Sequence, residues 1–206
     1  MTEDTYKTIL KPGQETLYKI KGSKFFGYAF PVETEEDVHQ AIEQLKKKHH
    51  KARHFCYAWQ LGKHYEHYRA NDDGEPSNSA GMPIYGQLQN FNLTNILVVS
   101  VRYFGGTKLG VGGLISAYKT SAQLAIEASE IKVKRITKVF YVNCDYNMMD
   151  VAIRLANDLN AKIIHQNLEL DCNYTIEVRL DDYDRVFENF KSTYGLHVKE
   201  IKEKKE

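Results

Sequence analysis

Residues 95–114 constrain the fold more than any other stretch. Here Ile96-Leu97-Val98-Val99-Ser100-Val101-Arg102-Tyr103-Phe104 runs into Gly105-Gly106-Thr107-Lys108-Leu109-Gly110-Val111-Gly112-Gly113-Leu114. The first half is apolar and β-branched, too short to cross a membrane, and reads as a buried strand. Five glycines then fall within nine residues, and helical spacing resumes over 114–128. A strand that feeds a glycine loop at a helix start leaves backbone N–H groups unpaired at the positive end of the helix dipole. Glycine also lets a ligand come close to the main chain. The natural guest is an anion, a phosphate or a nucleic-acid backbone, and Arg102 and Lys108 add positive charge beside it. Arg102, Gly105, Gly106, Lys108, Gly110, Gly112 and Gly113 are therefore the candidate nucleic-acid or anion-binding residues. The competing reading is structural: clustered glycines also supply positive φ angles and close strand–helix packing. The loop has neither a Gly-Lys-Ser/Thr ending nor a Gly-x-Gly-x-x-Gly spacing, so it is no standard nucleotide loop.

A net charge of +1 over 206 residues excludes a global basic field, so any nucleic-acid contact must come from a local patch. Cys56, Cys144 and Cys172 lack Cys-x-x-Cys spacing, and their odd number fits reduced core thiols rather than a disulfide framework. The opening Met1-Thr2-Glu3-Asp4 is polar, and no apolar run approaches the roughly 18–20 residues of a membrane span. A cytoplasmic protein without membrane contact is expected.

Along the chain, 15–32 reads as a hairpin turning at Lys21-Gly22-Ser23-Lys24. Thr34 followed by Glu35-Glu36-Asp37 caps a helix whose apolar positions are Val38, Ala41, Ile42 and Leu45 and whose end, 46–51, is basic. That basic end suits the helix dipole, and a solvated face is the simpler reading than a nucleic-acid patch. Strands follow at 53–61 and 64–70, then the turn-rich run Asn71-Asp72-Asp73-Gly74-Glu75-Pro76-Ser77-Asn78-Ser79-Ala80-Gly81-Met82-Pro83 and a short helix over 84–91. Asp73 and Glu75, with His54 as proton carrier, are the candidate acid/base groups; turn formation and helix capping are the structural alternative. No cluster has metal-ligand spacing, and no metal or cofactor is expected.

The pattern restarts near residue 130, which divides the chain into 1–130 and 131–206. The second part reads strand 137–144, helix 148–159, strands 162–170 and 174–180, helix 183–194 and strand 197–201. This β-α-β-β-α-β order is the ferredoxin-like one. Residues 202–206 read as a frayed, solvated end.

Arg-Tyr-Phe-Gly-Gly at 102–106 with Leu-Gly-x-Gly-Gly-Leu at 109–114, and upstream Asp72-Asp73-Gly74-Glu75-Pro76-Ser77 with Ala80-Gly81-x-Pro83, resembles the IMPACT family, specifically its bacterial YigZ-type branch. The resemblance covers nearly the whole chain. It implies an α+β fold with a first domain like a small-subunit ribosomal protein, domain IV of elongation factor G and the GHMP kinases. The implied second domain is ferredoxin-like and similar to elongation factor G domain V. Both comparisons point to RNA and the ribosome. Eukaryotic members act in translational control by binding the large activator of a starvation-sensing kinase, a pathway that bacteria lack. Two departures stand out: Asn78-Ser79 replaces the family's usual Gly-Thr, and Ser116 stands where an Arg is usual, removing one cation near the glycine loop.

The expectation drawn from residues and resemblance together is a non-enzymatic RNA- or ribosome-associated factor in translation regulation, with the glycine loop and its cations as phosphate site. Tyr57 and Tyr103 are candidates for base stacking, against a simpler core role. A phosphate- or nucleotide-dependent enzyme using the acidic loop, and a protein–protein adaptor, are the alternatives. Neither composition nor motif sets an oligomeric state.

Overall fold

Among the described residues the organising strand is Ile96–Tyr103, whose residues 96–102 are all buried. In the computed structural model, which describes residues 4–201, it is the middle strand of a five-stranded sheet. The chain order is β1 (Thr5–Ile9), β2 (Thr16–Ile20), β3 (Ser23–Pro31), α1 (Glu35–Lys48), β4 (His54–Leu61), β5 (His67–Asn71), α2 (Gly81–Phe91), β6 (Ile96–Tyr103), α3 (Gly110–Glu127) and β7 (Ile131–Arg135). Then come β8 (Thr137–Cys144), α4 (Met149–Asp158), β9 (Lys162–Leu168), β10 (Cys172–Arg179), α5 (Tyr183–Ser192) and β11 (Leu196–Glu200). The protein is α+β, and it divides into two compact units: residues 6–134, and residues 135–201 with Asp4 and Thr5.

In the first unit the strand order is β2-β3-β6-β4-β5, with every neighbour antiparallel. Strand side chains alternate faces, so β6 must satisfy two cores at once. Ile96 and Val98 pack with α2 and α3 through Ile84, Leu88, Ala117, Tyr118 and Ala122. Leu97, Val99 and Val101 pack with α1 through Val38, Ala41, Ile42 and Leu45. Where the α3 face would bury a hydroxyl, a second one meets it: Ser100 Oγ lies 2.8 Å from Ser121 Oγ.

The hairpin turns on Lys21 and Gly22, both with positive φ, which closes β2 onto β3 with two residues. Thr34 caps α1 by a full capping box with Asp37. Three sequence expectations shift. Helix α3 starts at Gly110 rather than 114, because its opening glycines adopt the first helical turn instead of the loop. Helix α2 starts at Gly81 rather than 84, since Pro83 in a first turn loses no intrahelical bond. The opening residues, read as merely polar, hold β1, in which Tyr6, Thr8 and Ile9 are buried and which pairs with β7. The expectation for 202–206 lies outside the described residues.

The second unit runs β8-α4-β9-β10-α5-β11, with strand order β11-β8-β10-β9 and antiparallel neighbours. Both helices cover one face, where Ala152, Ala156, Val186 and Phe190 meet Phe140, Val142, Tyr174 and Ile176. All three cysteines are buried free thiols.

The end of α1 carries a polar chain into the first unit. Lys48 Nζ and Tyr28 OH both donate to Glu15 Oε2, each at 2.6 Å. Tyr28 OH, its own proton committed to Glu15, accepts from His49 Nε2 at 2.6 Å, and His49 Nδ1 is left to accept from Tyr103 OH at 3.0 Å. His49 is therefore buried as a neutral ring, and burial holds its pKa below the ordinary value. A folded pKa below the unfolded one gives stability that is complete above about 6.5 and is lost as pH falls through the folded value. Glu15, held low by Lys48 and Tyr28, titrates in a lower window. His49→Gln is expected to lower stability by about 1–2 kcal/mol near pH 7.5, and by clearly less near pH 5.5, because only the wild type must give up a neutral imidazole. Urea unfolding at the two pH values checks this, and a gap that stays constant contradicts it.

Candidate functional site

At one end of the five-stranded sheet, the residues that face α2 and α3 form a row across three strands: Phe25 on β3, Arg102 on β6 and His54 on β4 are register partners. The acidic loop and the start of α3 close over this row. Each acidic side chain has a defined partner. Asp72 Oδ1 accepts the N–H groups of Ala80 and Gly81 at 2.9 and 2.8 Å, and Oδ2 accepts that of Asn78 at 2.8 Å. It thus supplies from a distance the cap that Ala80 itself cannot give α2. Asp73 Oδ2 accepts the N–H of Phe55 at 2.6 Å, and its carbonyl takes His54 Nδ1 at 2.8 Å. A carbonyl only accepts, so Nδ1 is the donor in this contact.

Glu75 is the centre of the cluster. Its Oε1 accepts from Arg102 Nη1 at 2.6 Å and from Tyr118 OH at 2.7 Å. Both charged side chains are almost wholly buried, Arg102 at 7% exposure and Glu75 at 5%. Burial drives the pKa of Tyr118 far above the ordinary tyrosine range, so its hydroxyl stays a donor. Cys56 beneath it is likewise pushed up by burial and gives its thiol proton to the Asp72 carbonyl at 3.0 Å. The Arg102 guanidinium lies over the rings of Phe25 and Phe104, at 5.5 and 5.6 Å, and its buried Nε–H has no hydrogen-bond partner among the described residues. The sequence placed Glu75 and Arg102 in separate candidate sets; the fold brings them into one ion pair.

The glycine segment begins directly after this pair. Gly105 must be glycine, since a Cβ there would lie 1.9 Å from the Gly22 carbonyl carbon; its N–H is held by Ser23 Oγ at 3.1 Å. The β2–β3 turn is thereby drawn against the loop, a contact the sequence did not reveal, and it brings Lys24 to the site. A shallow cavity of about 390 Å³ is lined by Gly22, Lys24, Phe26, Tyr103 and Phe104, with Phe104 58% exposed. Beyond it Gly106, Lys108, Gly110 and Gly112 are exposed, and Gly106, Gly110 and Gly112 look onto open space. Gly110 opens α3 at φ +73°, where other residues are strained. No side chain caps the first N–H groups of α3. Ser116 is exposed on the same helix. Tyr57 and Tyr103 are half-buried against the α1 core, and Tyr103 is also bound to His49.

Removing one partner of a buried ion pair strands the other charge, whereas replacing both with apolar groups of similar size removes the problem. Glu75→Ala is expected to cost about 3–5 kcal/mol, and Glu75→Leu combined with Arg102→Met much less than the single change. Urea unfolding of the two variants tests this; equal losses would show that the ion pair is not what holds the loop.

The Impact N-terminal domain family matches residues 21–126, which span β3 to β6 with the acidic loop, the glycine segment and nearly all of α3. The IMPACT family member YvyE of Bacillus subtilis (strain 168) is 31% identical over 179 residues, 87% of this chain and 79% of that protein. The IMPACT family member YigZ of Escherichia coli (strain K12) is 30% identical over 153 residues, 73% of this chain and 75% of that one. The crystal structure of a hypothetical protein shares the fold at TM-score 0.71 and 24% identity, covering 98% of this chain and 99% of its own. The chain belongs to the IMPACT family.

Proposed function

We propose that this protein is an RNA- or ribosome-associated factor in the regulation of translation, acting by binding rather than by catalysis. The observation that carries the reading is the exposed, uncapped start of α3, with Gly106, Gly110 and Gly112 clear of neighbouring atoms and Lys108 beside them. Amides in that position match phosphate oxygens. Lys24 and the exposed Phe104 extend the surface with a second cation and a ring on which a base can stack. Arg102 contributes differently from the way its charge suggests: paired with Glu75, it anchors the segment from below, and its buried Nε–H has no hydrogen-bond partner among the described residues. Against a reaction at the acidic loop stands the engagement of Asp72, Asp73 and Glu75 with backbone or side-chain donors. Membership of the IMPACT family, whose eukaryotic members act in translational control, supports the translational setting.

Binding of a fluorescent RNA is expected to weaken steeply with salt, and Lys108→Ala should lower the slope of log K against log[salt] by roughly 0.7–0.9. Affinity that is indifferent to salt, or unaltered by Lys108→Ala, contradicts the reading. Partners that survive nuclease treatment of an extract while RNA binding is absent would assign the protein as an adaptor instead.

A further inference from the structure

The four-stranded sheet of the second unit has helices on one face alone, and the other face has an unusual composition. Because register partners in an antiparallel sheet share a face, its side chains fall into rows across all four strands. One row is Lys199 on β11, Tyr141 on β8, Thr175 on β10 and His165 on β9. The next is His197, Asn143, Asn173 and Asn167 in the same strand order. Tyr141 is 50% exposed on one of the two inner strands, and Lys199, His165, His197, Asn173 and Asn167 are exposed around it.

This face suits neither apolar docking nor simple solvation. A protein-binding face would carry a contiguous apolar patch, whereas these rows hold one tyrosine, one threonine, one lysine, two imidazoles and three amides. They contain no carboxylate. The acid in the following row, Glu177, accepts from Thr137 at 3.0 Å, and Lys162 and Arg179 on the same face outnumber it. Within these rows Lys199, Lys162 and Arg179 thus stand against Glu177 alone, with a stacking ring among them, while the exposed carboxylates Glu169 and Asp171 lie in the β9–β10 turn beyond the asparagine row. Beside the ring stands a line of groups that both give and take hydrogen bonds; Asn143 Nδ2 already donates to Asn173 Oδ1 at 3.0 Å.

We infer that this open face binds single-stranded RNA, with an unpaired base stacked on Tyr141, neighbouring base edges meeting the asparagine row, and Lys199 on the phosphates. A single strand is required because only unpaired bases expose both a ring face and their pairing edge, and an antiparallel four-stranded sheet offers the flat support that such bases use. Thr175, the register partner of both Tyr141 and His165, is small and buried. The inference rests on the proposal that the protein is an RNA-contacting factor, and adds a site independent of the glycine segment.

The test is fluorescence anisotropy with the full chain and a labelled single-stranded RNA of about a dozen nucleotides. Tyr141→Ala is expected to weaken binding about tenfold or more, while Tyr141→Phe, which keeps the ring, stays within about twofold of wild type. Lys199→Ala should reduce the salt slope by roughly 0.7. Wild-type affinity in Tyr141→Ala, equal losses in the Ala and Phe variants, or a duplex of the same sequence binding as well as the single strand would each overturn the inference. If Lys108→Ala weakens binding and Tyr141→Ala does not, the face is not the site and the glycine-segment reading stands. If the wild type binds no RNA, both fall.

Discussion

The first unit depends on a carboxylate that leaves water to meet a guanidinium. Glu75 and Arg102 are both almost wholly buried, and each makes the other's burial tolerable. Tyr118 from α3 gives Glu75 its second donor, so loop, strand and helix are joined at one oxygen. Breaking that joint would strand a charge in the interior. The acidic loop is therefore an anchor: Glu75 ties it to β6 and α3, Asp73 ties it to β4, and Asp72 caps α2.

What the anchor holds in place is the start of the glycine segment. Arg102 is spaced from Gly105 only by Tyr103 and Phe104, and these two residues face different tasks. Tyr103 turns to His49 on the α1 side, whereas Phe104 covers the Arg102 guanidinium and remains largely exposed. A rigid base with an open rim is the arrangement a phosphate site needs, because amides that are already positioned lose little entropy on binding.

Local chemistry made much of this legible in advance. The Thr34–Asp37 capping box, the Lys21-Gly22 turn and the apolar run of β6 are encoded within a few residues, and the β-α-β-β-α-β order of the second unit follows from periodicity. What could not be read depends on distant partners. Strand β1 pairs with β7 from the far end of the first unit, and the contact of Gly105 with Gly22 spans most of the sheet's sequence. Arg102 looked like a free cation because Glu75 lies in a loop whose path no local rule sets. The glycines of α3 looked like loop because helix propensity disfavours them; Leu114, Ala117 and Tyr118 on the core override that preference.

The central claim is that the backbone at the start of α3 receives phosphate. It is tested most directly by following the amide resonances of Gly106, Gly110, Gly112 and Gly113 by NMR as single-stranded RNA is added. The account predicts saturable shifts at these amides, lost when salt is raised. Resonances that stay in place while RNA binds elsewhere on the chain would contradict it.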